Sequence, residues 1–566
     1  MTKNTLIVLA LIFSLVGAVP CISAPGSGST GGGPNAPDMK RIDEYMVYVQ
    51  LRDGRLMGII GHAIKGIAMA RYSADGGYTW SENQPLFAYP KDTGSWGIEQ
   101  AFLGLDGEVH AVVHNYPANQ PRDLYKMRFD IWSVRSTDDI KNWEPPRLVW
   151  EGYSGSLLSV TQLRNGRIII PFCYLTPRTW AKRGTGLDAF TFMGRFSSSA
   201  AYSDDDGDTW HTSSSELKEP TAYIGADGGI EPIVIQRKDG SVWMLIRTQD
   251  DYFFQSNSAD GSNWSLPLPT PIISSDSPAG LLRLKDGRIL LFWNNTQRYS
   301  YANGGRAVLH AAVSSDEGRT WRGYREVARN PLCVEPPPPN GDHGVTYTVP
   351  ALTKEGDAVT SLSTGPGGGE YILHLNPNWL DETVQKDDFS SGLDQWSTFG
   401  TRGVSLAPNP NQPGKMALEI RKADPEWPAA AVWNYPMGRK GDLRLRLLLK
   451  PGFAGARIGI TDHFSVPLDP LDVNYNLYNL AIGSAGEVSS SSRLRLGHWY
   501  TVDIEWDGDK SQARVIADGK FIADIPQTRM SVGASYLRVV STAPAGPDAG
   551  LLIESVRADV SAGWRH

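Results

Sequence analysis

Ser73-Ala-Asp75-Gly-Gly77-Tyr-Thr79-Trp80 recurs as Ser203-Asp-Asp205-Asp-Gly207-Asp-Thr209-Trp210 and as Ser314-Ser-Asp316-Glu-Gly318-Arg-Thr320-Trp321. Looser copies follow Ser136 and Ser258. In such a unit the aspartate accepts from nearby backbone N–H groups, glycine takes the strained turn, and tryptophan covers the loop. That makes it a local staple, so Asp75, Asp205 and Asp316 read as structural. Interleaved with the boxes is a hairpin signal, an apolar stretch on either side of Asp53-Gly54, Asp106-Gly107, Asn165-Gly166, Asp239-Gly240, Asp286-Gly287 and Glu355-Gly356. These pairs suit the two-residue type I′ turn. Their spacing matches a four-stranded antiparallel sheet with its loops, and six hairpins predict six blades.

The bulk numbers agree. A chain of 566 residues exceeds what one core serves, so more than one domain is expected. With 59 Gly, 38 Pro and 18 Trp, and few long apolar stripes of helical period, the chain reads as all-β. The net charge is −7 and no basic tract could neutralise a row of phosphates, which excludes nucleic acid as a partner. Lys3 followed by an apolar run from Leu6 to Val19 has the layout of an export signal, residues 1–24, with cleavage after Ala18 or Ala24. Pro20 argues against lipid attachment at Cys21. The run is too short for a membrane span, and residues 25–40, rich in Gly, Ser and Pro, read as a disordered leader. A secreted or periplasmic location follows. Only Cys173 and Cys333 remain after processing, so no disulfide framework is expected. No metal-ligand spacing or phosphate loop implies a cofactor.

The boxes resemble the Asp-box of sialidases and related glycosidases, over residues 41–382. The resemblance implies a six-bladed β-propeller with a glycan or oligosaccharide substrate held in a funnel on its axis. Gly229-Ile-Glu231-Pro, with Arg247 seven residues past the fourth turn glycine, resembles the sialidase blade that supplies a glutamate and one arginine of a carboxylate-binding triad. Arg306, eight residues before Ser314, resembles another triad arginine. Tyr347, in Gly344-Val-Thr-Tyr347-Thr-Val-Pro, resembles the nucleophilic tyrosine, with Thr346 the alternative if the register slips by one. Two guanidinium forks on one pocket would grip an acidic sugar. In that scheme Glu231 takes the phenolic proton, and a neutral phenol avoids repulsion from the substrate.

The first blade departs from the family. Glu44-Tyr-Met-Val-Tyr-Val-Gln-Leu-Arg52-Asp-Gly54 lacks the sialidase Arg-Ile-Pro, Arg41 stands outside the expected pocket, and the next loop offers His62 but no carboxylate. The second blade adds what the family pattern does not predict: Gly97-Ile-Glu99 echoes Gly229-Ile-Glu231, and His114 matches Arg247. Arg128 and Arg195 match Arg306 as further substrate-binding candidates, and an insertion from Leu175 to Arg195, with Arg178, Trp180, Lys182 and Arg183, is long enough to overhang the funnel. Residues 383–566, with alternating strands at Leu443–Leu449 and Trp499–Trp506, read as a β-sandwich of jelly-roll or concanavalin-like type. Three functions remain open: an exo-glycosidase for terminal acidic sugars, sialic acid first; a glycosidase for a uronic or neutral sugar using Glu99 and Glu231; or a non-catalytic glycan-binding propeller.

Overall fold

The computed structural model describes residues 36–118, 128–177, 194–219, 228–297, 305–330, 344–365, 368–398, 402–465, 470–544 and 548–560. The export signal, most of the Leu175–Arg195 insertion, and Cys333 lie outside them. Among the described residues no helix is long and apolar enough to cross a membrane.

Six antiparallel sheets follow one another along the chain, each meandering outward from a first strand at the hub. The first blade comprises Met46–Gln50, Leu56–Ile60, Ile67–Ser73 and Gln84–Ala88. The fourth comprises Ile230–Gln236, Val242–Arg247, Tyr252–Ser258 and Leu268–Ile273. In the sixth, Ala351–Leu352, Ala358–Ser363 and Glu370–Leu375 are completed by Asp38–Arg41 from the other end of the chain. This pairing closes the ring, so the propeller begins three residues ahead of the expected Arg41, within the stretch read as leader. At the hub the blades share one apolar cluster, to which Val47, Ile98, Leu158, Ile233, Ala279 and Val349 contribute one side chain from each blade.

The six hairpins are present, but their turns differ from the expected type. Gly54 N–H bonds to Leu51 O at 3.0 Å and Leu51 N–H to Arg55 O at 2.9 Å, with only glycine at positive φ. This is a three-residue loop, a type I turn followed by a left-handed glycine. The same bonds recur at Gly107, Gly166, Gly240, Gly287 and Gly356. The aspartate serves as a cap: Asp53 Oδ1 accepts from Arg55 N at 2.9 Å, where a type I′ turn would instead have asked it for positive φ.

The boxes form as expected. Asp75 Oδ1 accepts from Ser73 Oγ, Tyr78 N and Thr79 N at 2.8, 3.0 and 2.9 Å, and Oδ2 from Thr79 Oγ1 at 2.7 Å. In the second blade, whose box has no intact aspartate pattern, Glu108 reaches over from the neighbouring strand and accepts from Asp139 N and Ile140 N.

After a short 3-10 turn, Pro377–Asp381, the chain builds two facing antiparallel sheets of eight and five strands around Trp433, Trp506, Leu445 and Ile458. This β-sandwich docks against the fifth blade: Asn295 Nδ2 donates to Asp462 O at 2.8 Å, and Tyr536 Oη donates to Glu326 Oε1 at 2.8 Å.

Candidate functional site

The hub end of the blades is built at the entries to the inner strands. Tyr45, Glu231 and Tyr347 each stand nine residues ahead of their blade's turn glycine, Gly54, Gly240 and Gly356. Equivalent register delivers all three to the same level of the axis. At Glu231 the ladder with Val242–Arg247 breaks between Ile230 and Ile233, a bulge that turns the glutamate off the sheet. Glu231 has φ 44° and Tyr347 φ 63°. Left-handed backbone at a non-glycine residue costs on the order of 1–3 kcal/mol and persists only where the surroundings enforce it.

Those surroundings are specific. Arg247, whose side chain is 2% exposed, holds Glu231 Oε2 through Nη1. The same nitrogen lies 3.5 Å from Tyr347 Oη, which donates to Glu231 Oε1 at 3.4 Å. The guanidinium of Arg306 stands 5.4 Å from the centre of the Tyr347 ring. Tyr45 fixes the tyrosine's backbone, its hydroxyl donating to Tyr347 O at 3.1 Å. Behind the glutamate lies the buried Cys173 thiol. Burial pushes that thiol up to about 12, so it stays neutral. A Cβ on Gly155 would stand 2.7 Å from Cys173 Sγ and 3.1 Å from Glu231 Cγ, so the third blade can approach this closely only with glycine there.

Electrostatics poise the pair. Burial, and then the Glu231 carboxylate, raise the Tyr347 phenol above its ordinary value, while Arg306 and Arg247 pull it down. The phenol therefore rests protonated beside a carboxylate that can accept its proton, with two cations placed to stabilise the phenolate as it forms.

Of the sequence-predicted residues, Glu231, Arg247, Arg306 and Tyr347 are thus brought together. Thr346 is buried. Glu99 sits on a bulge like that of Glu231, between Ile98 and Gln100, and its carboxylate raises the neighbouring Tyr45 phenol together with burial, the larger cause. His114 is buried against it, with Nδ1 3.4 Å from Glu99 Oε1 and Nε2 3.1 Å from Ser154 Oγ. Ser154 donates its hydrogen to Phe129 O at 2.8 Å, so His114 Nε2 is the donor in their contact and Nδ1 is the atom that faces Glu99. His114 thus stands beside Glu99, without a hydrogen bond to it, at the place where Arg247 holds Glu231, and its side chain is 1% exposed. His62 stands 3.7 Å from Glu44 and is about one-third exposed. Arg128 is held by Asp130 and Glu151, an anchor within its own blade. Arg195 pairs through its backbone with Thr176. Arg178, Trp180, Lys182 and Arg183 lie outside the described residues.

Sequence reasoning missed Asp276. It lies in the loop between the fourth and fifth blades, where Ser275 Oγ donates to Gly305 O at 3.2 Å and Arg306 Nη2 donates to Asp276 O at 2.9 Å. Arg247 Nε and Nη2 both reach Asp276 Oδ1, at 2.9 and 2.8 Å, and Gln249 Nε2 donates to Oδ2 at 2.8 Å. Burial works to raise this carboxyl, but Arg247 and then Arg306 outweigh it and hold it below the usual carboxylate range. Asp276 belongs to no box and no strand, so only the fold puts it on Arg247. Tyr45 was also missed, although its register with Glu231 and Tyr347 is a signal the sequence carries.

Residues 67–361 match the BNR repeat-like domain family. No curated protein matches the chain. Among solved structures the chain is similar to a protein of unknown function from Dyadobacter fermentans, at 16% identity and TM-score 0.42, over 61% of this chain and 100% of that one. It is also similar to Trypanosoma rangeli sialidase in complex with 2,3-difluorosialic acid, at 14% identity and TM-score 0.41, over 92% and 91% of the two chains. A structure of NanB with Optactamide matches at 14% identity and TM-score 0.42, over 64% and 71%.

Proposed function

The chain belongs to the BNR repeat-like domain family, and from that premise we propose that it is a glycoside hydrolase that removes a terminal sugar from a glycan, with Tyr347 as nucleophile and Glu231 as its base. The observation that carries the reading is the Tyr347 hydroxyl 3.4 Å from Glu231 Oε1, with Arg247 on the other carboxylate oxygen and Arg306 beside the ring. In the first step the Tyr347 oxygen bonds to the anomeric carbon, the bond to the leaving oxygen breaks, and the phenolic proton passes to Glu231. Glu99, close enough to Tyr45 to raise its phenol and 3.4 Å from His114 Nδ1, is the group proposed to give the departing oxygen its proton. Water then cleaves the glycosyl-tyrosine, giving one proton to the Glu99 carboxylate as it attacks, while Glu231 returns its proton to the phenol. The net outcome of the two displacements is retention. Export through the segment at 1–24 belongs to the same proposal and suits a glycan substrate outside the cell.

The test is turnover of a panel of 4-methylumbelliferyl glycosides by wild type, Glu231→Gln and Tyr347→Phe. Each variant should lose at least about a hundredfold in kcat, the scale of a positioned base or nucleophile. Turnover that both variants retain would remove the assignment. Glycan binding without turnover by wild type would favour the non-catalytic reading.

A further inference from the structure

Among the described residues, the cations around Tyr347 are already engaged by the chain's own acids, and that points to the sugar the site takes. Arg247 is the deepest cation there, and both of its two-pronged edges are engaged by the chain itself. The Nε–Nη2 edge lies on Asp276, and Nη1 lies on Glu231 and Tyr347. Among the described residues two carboxylates, Glu231 and Asp276, meet two guanidinium groups, Arg247 on both carboxylates and Arg306 on the Asp276 backbone oxygen, so these charges balance without a ligand. A substrate carboxylate would enter as a third anion beside Glu231. It would have to displace Asp276 from Arg247, leaving a largely buried carboxylate with only Gln249 and Arg306 to compensate it, which is unfavourable. A sugar without a carboxylate meets no such penalty, and its hydroxyl groups can donate to carboxylate oxygens of this kind. The neutral phenol of Tyr347 serves the same arrangement, since a carboxylate nucleophile would itself be a third negative charge.

We propose that Asp276 is a specificity-determining residue that occupies the arginine fork internally, so that the site takes neutral sugars and excludes those carrying a carboxylate at the reacting carbon. The proposal rests on the glycosidase reading above, deepening it by naming the substrate class. It replaces the acidic sugar that two open arginine forks would have implied.

Wild-type protein is assayed against 4-methylumbelliferyl N-acetylneuraminic acid, the glucuronide, and a set of neutral hexosides and deoxyhexosides, alongside saturation-transfer NMR with the corresponding free sugars. The expected result is that at least one neutral glycoside is cleaved at least about a hundredfold faster than either acidic one, the discrimination available when a buried polar group is left unmatched. Faster cleavage of the sialoside or the glucuronide overturns the role of Asp276 while leaving the glycosidase reading intact. Binding of a neutral sugar in preference to sialic acid, with no cleavage of any substrate, keeps Asp276 and removes the hydrolase. Neither binding nor cleavage of any sugar overturns both. Asp276→Ala should bind sialic acid about tenfold more tightly than wild type, the equivalent of one charge-assisted hydrogen bond regained by Arg247. Asp276→Asn is the companion if the alanine variant fails to fold, and it should show the same direction of change.

Discussion

Arg247→Met tests whether the hub is held by one shared cation. The side chains of Arg247 and Glu231 are each 2% exposed and that of Asp276 is 13% exposed, so the substitution keeps most of the volume but leaves two carboxylates with little access to water. Breaking a single buried ion pair by removing one partner costs roughly 3–5 kcal/mol. Arg306 remains beside Asp276 and offsets part of the loss, which places the expected destabilisation near the lower end, about 3 kcal/mol. Against a typical total of about 5–15 kcal/mol, that is a large fraction. The pH dependence supplies the sign. In wild type the Asp276 carboxyl is held low, so its contribution is fully present above the ordinary carboxylate value, about 3.9, and is lost as pH falls through the lower folded value. Without Arg247 the burial that works to raise it is no longer outweighed, and the variant loses stability as pH rises through the raised value. The gap between the two proteins should therefore be widest near neutrality and narrow on acidification. Hydrogen exchange of peptides covering Ile230–Gln236 and Val242–Arg247, read by mass spectrometry near pH 7 and near pH 5, reports the local opening free energy without requiring both domains to unfold together. A variant within about 1 kcal/mol of wild type near pH 7, or a difference that does not change with pH, would refute the shared-cation reasoning.

Gly155→Ala places a methyl group 2.7 Å from Cys173 Sγ and 3.1 Å from Glu231 Cγ. It should destabilise by about 1–3 kcal/mol in thermal or urea unfolding and lower kcat by displacing Glu231 from Tyr347, whereas Gly166→Ala, with nothing within 4 Å of its Cβ but φ +96°, should show backbone strain without loss of activity. Asp75→Ala removes the acceptor for a box turn whose carboxyl lies at about 2, burial tending to raise it and the hydrogen bonds from Thr79 and Ser73 outweighing that. It should lower stability by about 1 kcal/mol near pH 7 with kcat unchanged, and the difference should vanish as pH falls toward 2; an activity loss would contradict the structural role of the boxes.

The number of blades was legible because it is a local property repeated six times. Asp-Gly turns and Ser-x-Asp-x-Gly-x-Thr-Trp boxes each fold over a few residues, and their bonds, such as Asp75 to Thr79, span four positions. The turn type was misjudged for a related reason. Asp-Gly suits both the two-residue and the three-residue loop, and the choice depends on how the flanking strands pair, as at Leu51 and Arg55. The N-terminal strand Asp38–Arg41 had no signal of its own, since it becomes a strand only by finding Glu370–Leu375 across the whole propeller.

For the site, Glu231, Arg247, Arg306 and Tyr347 were named by the resemblance to sialidases, with register placing them, because a repeated blade carries equivalent positions to one axis. Register could not say what each group would meet there. That Arg247 is closed by Asp276, from the loop beyond its own blade, and that His114 stands beside Glu99 across a strand pair are facts of packing. A sequence lists which charges a blade can deliver to the hub. Only the tertiary structure decides which of them neutralise one another, because Coulomb energy in a dry interior depends on separations of a few ångströms that no spacing along the chain encodes.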